Sequence, residues 1–298
     1  MSAVSRRTVL GGVAAAAGLS ALAGPAAADG RGKGNGKFSG KVVLITGATS
    51  GIGAATAHAF AAAGAKVAFC GRRANLGRQV ERGIRAAGGE ATYTAADVRV
   101  AESVRQFVDA AVRKYGRVDI AFNNAGVQIS SPLHQVTLEQ WDEVFDTNAR
   151  GVFLAMKYQL PHMLNQKSGH IIVNSSVGAI VGRPNLSTYQ ATKQAVQALV
   201  KSAALEYGTH GIRVNAILPG ITDTPMIRPP GYDDETWQRM LTILGQLNVD
   251  GLKKVATPDM IAQAVLAMAG DELGYLTGAS VPVDGGLAAG RPLQLPQQ

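Results

Sequence analysis

The sequence predicts a single α/β domain, one doubly wound parallel sheet of about seven strands with helices on both faces. Three observations predict it. Short apolar runs alternate with longer helix-compatible segments between residues 41 and 283. The first run, at residues 41–46, passes straight through a glycine turn into an Ala-rich segment. Finally, Gly47, Arg72, Asp97, Asn124, Ser176 and Pro219 each follow an apolar run, which puts them at the carboxyl ends of strands, where such sheets bind ligands.

Size and composition agree. With 298 residues, 46% of them hydrophobic, the chain fills one large core without needing a second domain. The formal charge of +8 becomes +6 when Arg6 and Arg7 are set aside, because both lie in a segment expected to be removed. Arg31, Lys33 and Lys37 place further positive charge in a Gly-rich leader, and no basic stripe carries interleaved aromatics. Nucleic acid is therefore not an expected partner, whereas a phosphate-bearing ligand suits the mild positive balance. The single cysteine, Cys70, excludes an intrachain disulfide and reads as a buried, inert thiol. No Cys/His cluster has metal-ligand spacing.

Residues 1–28 read as an export signal. Arg6 and Arg7 precede a short Ala/Gly/Leu run at residues 9–23, and small residues up to Ala28 supply a cleavage site. The paired arginines resemble a bacterial twin-arginine signal. The alternative, an uncleaved membrane anchor, is disfavoured because the run is shorter than the roughly 20 residues a spanning helix needs. The mature chain is thus expected to be periplasmic or extracellular with no stable membrane anchor, or cytoplasmic if the signal is not functional. Residues 29–37 read as a flexible Gly-rich linker, 38–290 as the domain and 291–298 as a tail.

The domain opens with a strand at residues 41–46, suited to burial on both faces. Gly47, Thr49, Ser50, Gly51, Ile52 and Gly53 then turn the chain into a helix reaching about residue 63. In such a turn Gly47 permits the tight bend, Gly51 lets a pyrophosphate approach the backbone, and Gly53 lets helix and strand pack closely. The free N–H groups and partial positive charge of the helix N-terminus face the phosphates. An ordinary Gly-rich turn has a similar composition, but the strand before and the helix after give the motif its Rossmann-type, dinucleotide-binding meaning.

The second strand, at residues 66–70, ends in Gly71-Arg72-Arg73. An acidic residue here accepts from a ribose 2′-hydroxyl, whereas arginine accommodates a 2′-phosphate. With Gly71 where the acid belongs, Arg72 and Arg73 favour NADP, with NAD possible; the alternative is a solvated arginine pair. A helix at about residues 76–87 and a strand at 90–95 lead to Asp97 and Val98. The Asp97 carboxylate either accepts from an adenine amino group or caps the following helix. After the strand at 118–122 come Asn123, Asn124, Ala125 and Gly126, whose small residues let a cofactor pass while the amides pin the loops.

A long helix at about residues 138–164 carries Asn148 near its middle, with Gly151 just after it, which marks a local bend. The strand at 170–174 delivers Ser175 and Ser176. The Ala- and Val-rich run that follows is helical, so Tyr189 and Lys193, four apart, share one face. A free phenol has a pKa of about 10, and a nearby ammonium favours the phenolate and lowers that value, giving a group tuned for acid–base work. The strand at 213–218 is followed by Pro219, Gly220, Ile221, Thr222 and Thr224. Residues 227–254, with Pro229, Pro230 and Gly231, read as a mobile helical lid; a helix at 258–269 and a strand at 280–283 complete the domain.

In this order, Thr46 with Gly47, Gly51, Ile52 and Gly53, the Asn123-to-Gly126 turn, Asn148, Ser176, Tyr189 with Lys193, and Pro219 with Gly220 resemble the short-chain dehydrogenase/reductase family over about residues 38–290. The resemblance implies an NAD(P)-dependent oxidoreductase that interconverts an alcohol and a ketone or aldehyde, and a homotetramer. It implies that Ser176 orients the substrate oxygen, that Tyr189 exchanges the proton, and that Lys193 lowers its pKa and holds the nicotinamide ribose. Asn148 would anchor a water linking Lys193 to solvent, and Thr222 and Thr224 would contact the nicotinamide amide. The residues' own chemistry agrees, since the Ser176 hydroxyl and the Tyr189 proton are preorganised donors to a developing oxyanion. One departure is that residues 248–257 lack the Pro-Leu-Gly-Arg pattern of many relatives, which leaves lid geometry and substrate open.

Other residues are set aside. His58, His134, His162, His170 and His210 are dispersed and read as structural or surface groups. Trp141 is expected to pack on its own helix; Trp237, in the lid, either packs or touches substrate. No Gly-x-Ser-x-Gly elbow surrounds Ser176, which argues against hydrolase chemistry. The competing function is a nucleotide-binding sensor or interaction protein without turnover; an intact Ser, Tyr and Lys set argues against it. The lid and residues 180–183 are expected to select a small alcohol or carbonyl substrate.

Overall fold

The computed structural model describes residues 36–290. The export signal expected at 1–28, the linker up to residue 35 and the tail at 291–298 lie outside the described residues.

Seven parallel strands form one sheet in the order β3-β2-β1-β4-β5-β6-β7. β1 (Val42–Thr46) shows how the sequence builds two layers. Val42 and Leu44 point into one core with Phe107, Met156 and Val200, while Val43 and Ile45 point into the other with Phe60, Ile84 and Val265. That alternation follows from the two-residue period of a strand buried on both faces. The first layer belongs to α3 (Ala101–Tyr115), α5 (Gly151–Gln166) and α6 (Ser187–Tyr207). The second belongs to α1 (Gly51–Ala62), α2 (Ala74–Ala86) and α8 (Pro258–Ala269).

β1 pairs with both β2 (Lys66–Gly71) and β4 (Ile120–Asn123). The chain runs outward through β2 to β3 (Glu90–Ala95), then returns to β4 and continues through β5 (Gly169–Asn174), β6 (Ile212–Pro219) and β7 (Ser280–Val283). The reversal between β1 and β4 is the topological switch point, where such sheets leave a crevice at the strands' carboxyl ends.

Boundaries differ from expectation where side chains intervene. β4 begins at Ile120 and not at 118, because the Val118 N–H donates to Gln166 Oε1 (2.9 Å) and the Asp119 carboxylate accepts the Val42 N–H (2.8 Å). The single helix expected at 138–164 is α4 (Leu138–Phe145), a π-helical turn at Asp146–Arg150 and α5 in succession. Thr137 and Gln140 close a capping box at the start of α4. The bend predicted at Asn148 therefore takes the form of a π-turn, a device frequent at functional sites. The lid region contains α7 (Asp234–Asn248), started by Asp233 accepting from the Thr236 N–H at 2.7 Å. Among the described residues no helix is long and apolar enough to cross a membrane.

Candidate active site

The carboxyl ends of the strands open into a cleft of about 710 Å³. Of the residues expected to bind cofactor or act chemically, all but Asn148 line it. Gly47 takes φ +69°, and a Cβ on it would sit 2.5 Å from the Ala125 Cα, so only glycine fits this turn. A Cβ on Gly53 would meet the Gly47 carbonyl oxygen at 2.6 Å, which supports the close helix–strand packing expected of it. Asn124 pins the turn from β4, donating from Nδ2 to Thr46 O (3.1 Å) and Gly47 O (3.0 Å). Thr46 Oγ1 answers by accepting the Asn124 and Ala125 N–H groups (3.0 and 3.1 Å). Asn123 turns away and forms a buried reciprocal amide pair with Gln159 on α5.

The same network reaches the acid–base residues. Asn174 Nδ2 donates to Asn124 Oδ1 (2.9 Å), Lys193 Nζ donates to Asn174 O (2.7 Å), and Ser175 Oγ donates to Lys193 O (2.9 Å). The N–H of Gly178 donates to Ser176 Oγ at 3.0 Å, and Ser176 and Tyr189 both line the cleft. Lys193 Nζ lies 5.5 Å from the Tyr189 ring centroid. Ser176, Tyr189 and Lys193 thus all line the one cleft.

Their electrostatics correct the expectation. Burial holds the Tyr189 phenol above its ordinary value, and the hydrogen bond to Ser176 is what draws it back down. Lys193 is not a permanent cation: burial lowers its pKa to about 8. Desolvation of both groups outweighs the attraction the sequence suggests between them.

Asn148 stands behind the cleft, fully buried. Its Oδ1 accepts the Val127 N–H (2.8 Å), and its Nδ2 donates to Val127 O (2.9 Å) and Thr192 Oγ1 (3.1 Å). Thr192 in turn donates to Tyr189 O (2.7 Å), so Asn148 ties the loop after β4 to the turn of α6 that carries the phenol.

At the outer rim the two arginines separate. Arg73 donates from Nε and Nη2 to Thr49 Oγ1 (3.2 and 2.9 Å) and from Nη2 to Ser50 Oγ (2.7 Å). Arg72 instead faces Glu143 on α4. Asp97 does not cap α3, whose N-cap position is Val100. Its carboxylate is forked by Arg99, which holds its pKa below the usual carboxylate range.

The cleft has the donor set of a dinucleotide site. At the N-terminus of α1 Ser50 makes no capping bond from its side chain, and no acidic residue occupies the first turn. Thr147 Oγ1 and Asn174 Oδ1, from residues lining the cleft, are buried without a partner. The remaining wall contains Val127, Gln128, Leu186 and Met226, not singled out from the sequence, together with Ile227 and Leu244 from the region expected to form the lid. Extending the carboxyl-end rule two residues past Gly126 would have found the first two. Trp237 is buried with its indole N–H donated to Asp223 (2.7 Å) and does not line the cleft, while Trp141 stacks on Phe145 of its own helix. Among the described residues no His/Cys/Asp/Glu group could hold a metal ion, and burial pushes the Cys70 thiol up to about 12.

A family model described as "Enoyl-(Acyl carrier protein) reductase" matches residues 47–288. The 3beta-hydroxysteroid dehydrogenase 1 of Eggerthella lenta is 38% identical over 252 residues, which cover 84% of this chain and 94% of that one. The chain belongs to the short-chain dehydrogenase/reductase family. The cis-4-hydroxycyclohexanecarboxylate dehydrogenase of Sinomonas cyclohexanicum is a further relative, 37% identical over 253 residues, 85% of this chain and 98% of that one. The crystal structure of levodione reductase superposes with a TM-score of 0.78 at 35% identity, covering 85% of this chain and 99% of the other. As a short-chain dehydrogenase/reductase, the protein is an oxidoreductase of alcohol and carbonyl groups that uses a nicotinamide cofactor.

Proposed function

We propose that the protein interconverts a secondary alcohol and a ketone on an apolar ring, with NADP preferred to NAD. The observation that carries the reading is the convergence of Ser176, Tyr189 and Lys193 on one cleft with the pinned glycine turn. Two relatives act, by name, on ring hydroxyls, of a steroid and of a cyclohexanecarboxylate. The apolar wall of Val127, Leu186, Met226, Ile227 and Leu244 suits such a ring.

When bound, the nicotinamide supplies or accepts the hydride. The turn from Gly47 to Gly53 and the α1 N-terminus would hold its phosphates, with Thr222 and Thr224 beside the carboxamide. In reduction Tyr189 donates its proton to the substrate oxygen, while Ser176 fixes that oxygen by a hydrogen bond. A phenol held above its ordinary pKa remains protonated at neutral pH, which suits it as the acid. Lys193 orders the ribose and supplies positive charge beside the phenol. Both Nδ2 hydrogens of Asn148 are engaged, so a water relay to Lys193 would run through its backbone oxygen. For the phosphate preference, a side chain at position 71 would begin 2.6 Å from Thr49 Cγ2, which disfavours an acidic ribose ligand there, and Arg73 reaches over the glycine turn.

A panel of ring alcohols and ketones with both cofactors, read at the nicotinamide absorbance, tests the proposal. Turnover should be higher with NADP(H), and Tyr189→Phe should lower it by about 10²–10⁴-fold. Nucleotide binding without turnover of any ring substrate would overturn it.

A further inference from the structure

Arg72 and Arg73 are adjacent in sequence and alike in charge, yet their surroundings differ. Arg73 hydrogen-bonds neutral hydroxyls, those of Thr49 and Ser50. Arg72 Nη1 lies 3.4 Å from Glu143 Oε1. The other oxygen of Glu143 accepts from Arg99, and Arg99 is itself forked on Asp97, with Nη2 2.6 Å from Oδ2. Two arginines and two carboxylates therefore form a chain of alternating sign, Arg72–Glu143–Arg99–Asp97, along the rim of the cleft. These four charges balance, whereas among the described residues Arg73 forms no ion pair with a carboxylate.

Glu143 comes from a distant part of the molecule. It sits on α4, one helical turn before the π-turn, and joins the loop after β2 to the loop after β3. Both loops line the cleft through Arg72, Arg73, Asp97 and Val98. A carboxylate so placed competes with any phosphate for Arg72 and repels that phosphate as well.

We propose that Glu143 is a positioning residue that limits the preference for the 2′-phosphorylated cofactor, by holding Arg72 in this chain. The proposal rests on the reading of the cleft as a nicotinamide-dinucleotide site. It makes Arg73 the main phosphate cation and Arg72 a reserve that Glu143 restrains.

The test is equilibrium binding of NADPH and NADH to the full chain, followed by nucleotide fluorescence, in wild type, Glu143→Gln, Arg72→Ala and the double variant. Because the groups are partly exposed, the effect is modest: Glu143→Gln should tighten NADPH about two- to fivefold and leave NADH within about twofold. The gain should shrink as salt is raised. In the double variant the NADPH-to-NADH ratio should return to that of Arg72→Ala alone. Glu143→Asp, which keeps the charge on a shorter arm, should fall between wild type and Glu143→Gln. An unchanged ratio in Glu143→Gln, or a gain that survives loss of Arg72, overturns the role of Glu143. If wild type prefers NADH but Glu143→Gln still moves the ratio toward NADPH, the NADP reading fails and this proposal stands. Absence of binding to either nucleotide overturns both.

Discussion

Lys193 shows how the site trades stability for chemistry at the level of one residue. Burial lowers its pKa from 10.5 to about 8, so folding disfavours its charged form. Between those two values the unfolded chain binds more protons than the folded one, and stability rises with pH across that window. Below pH 8 the full penalty is present, about 3 kcal/mol at 1.36 kcal/mol per pH unit. Lys193→Met removes that penalty but leaves the Asn174 carbonyl oxygen without the donor now 2.7 Å away, a loss of about 1–2 kcal/mol. The cofactor-free variant should therefore be more stable than wild type by about 1–2 kcal/mol at pH 7, with the difference shrinking as pH rises and reversing in sign by about pH 10, while turnover collapses. Urea denaturation at the two pH values checks this, and a variant less stable than wild type at pH 7 would show that the hydrogen bond outweighs desolvation.

At the scale of elements, the strand ends were legible because each candidate site residue followed an apolar run or stood at a fixed helical spacing. The glycine turn, Asn124, Ser176 and the Tyr189–Lys193 pair all belong to that class. What the sequence hides is pairing between distant elements. Glu143 meets Arg72 across 71 positions, and Asn123 differs from Asn124 only in which side of β4 it faces. The π-turn was visible as an unfavourable Asn148, but one extra residue per turn leaves little trace in periodicity. His170 on β5 is a further hidden case. It is buried, shares a hydrogen bond with Asn215 on β6 (3.0 Å), and burial together with the Arg213 charge depresses its pKa to about 3. Between pH 6.5 and 3 the unfolded chain binds the extra proton, so stability falls as pH falls through that window, by up to about 1.4 kcal/mol per unit. From pH 7 to pH 5 wild type should lose about 2 kcal/mol from this group. His170→Gln should flatten that slope whatever its stability at pH 7, as chemical denaturation across the series would reveal. An equal slope in both proteins would place the proton sensitivity elsewhere.

At the scale of the whole molecule, the cleft draws its walls from both sides of the switch point. Groups from the loops after β1, β2, β3, β4, β5 and β6 meet in it, and the Thr46–Asn124–Asn174–Lys193 hydrogen bonds run across the middle of the sheet. A ligand filling it is therefore coupled to the global unfolding of the sheet. Binding to the folded state alone stabilises by about 2.7 kcal/mol at a ligand concentration one hundred times Kd. For a domain of this size each kcal/mol moves Tm by about 2–4 °C, so saturating NADPH should raise it by about 5–10 °C. At equal concentration NADH should give a smaller shift, and added salt should erode the NADPH shift more, if, as proposed, Arg73 is the cation that meets the extra phosphate. In Arg73→Ala the two shifts should converge. Differential scanning calorimetry on the four combinations of protein and nucleotide decides the point: a difference between the nucleotides that persists without Arg73 would move phosphate recognition to another part of the cleft.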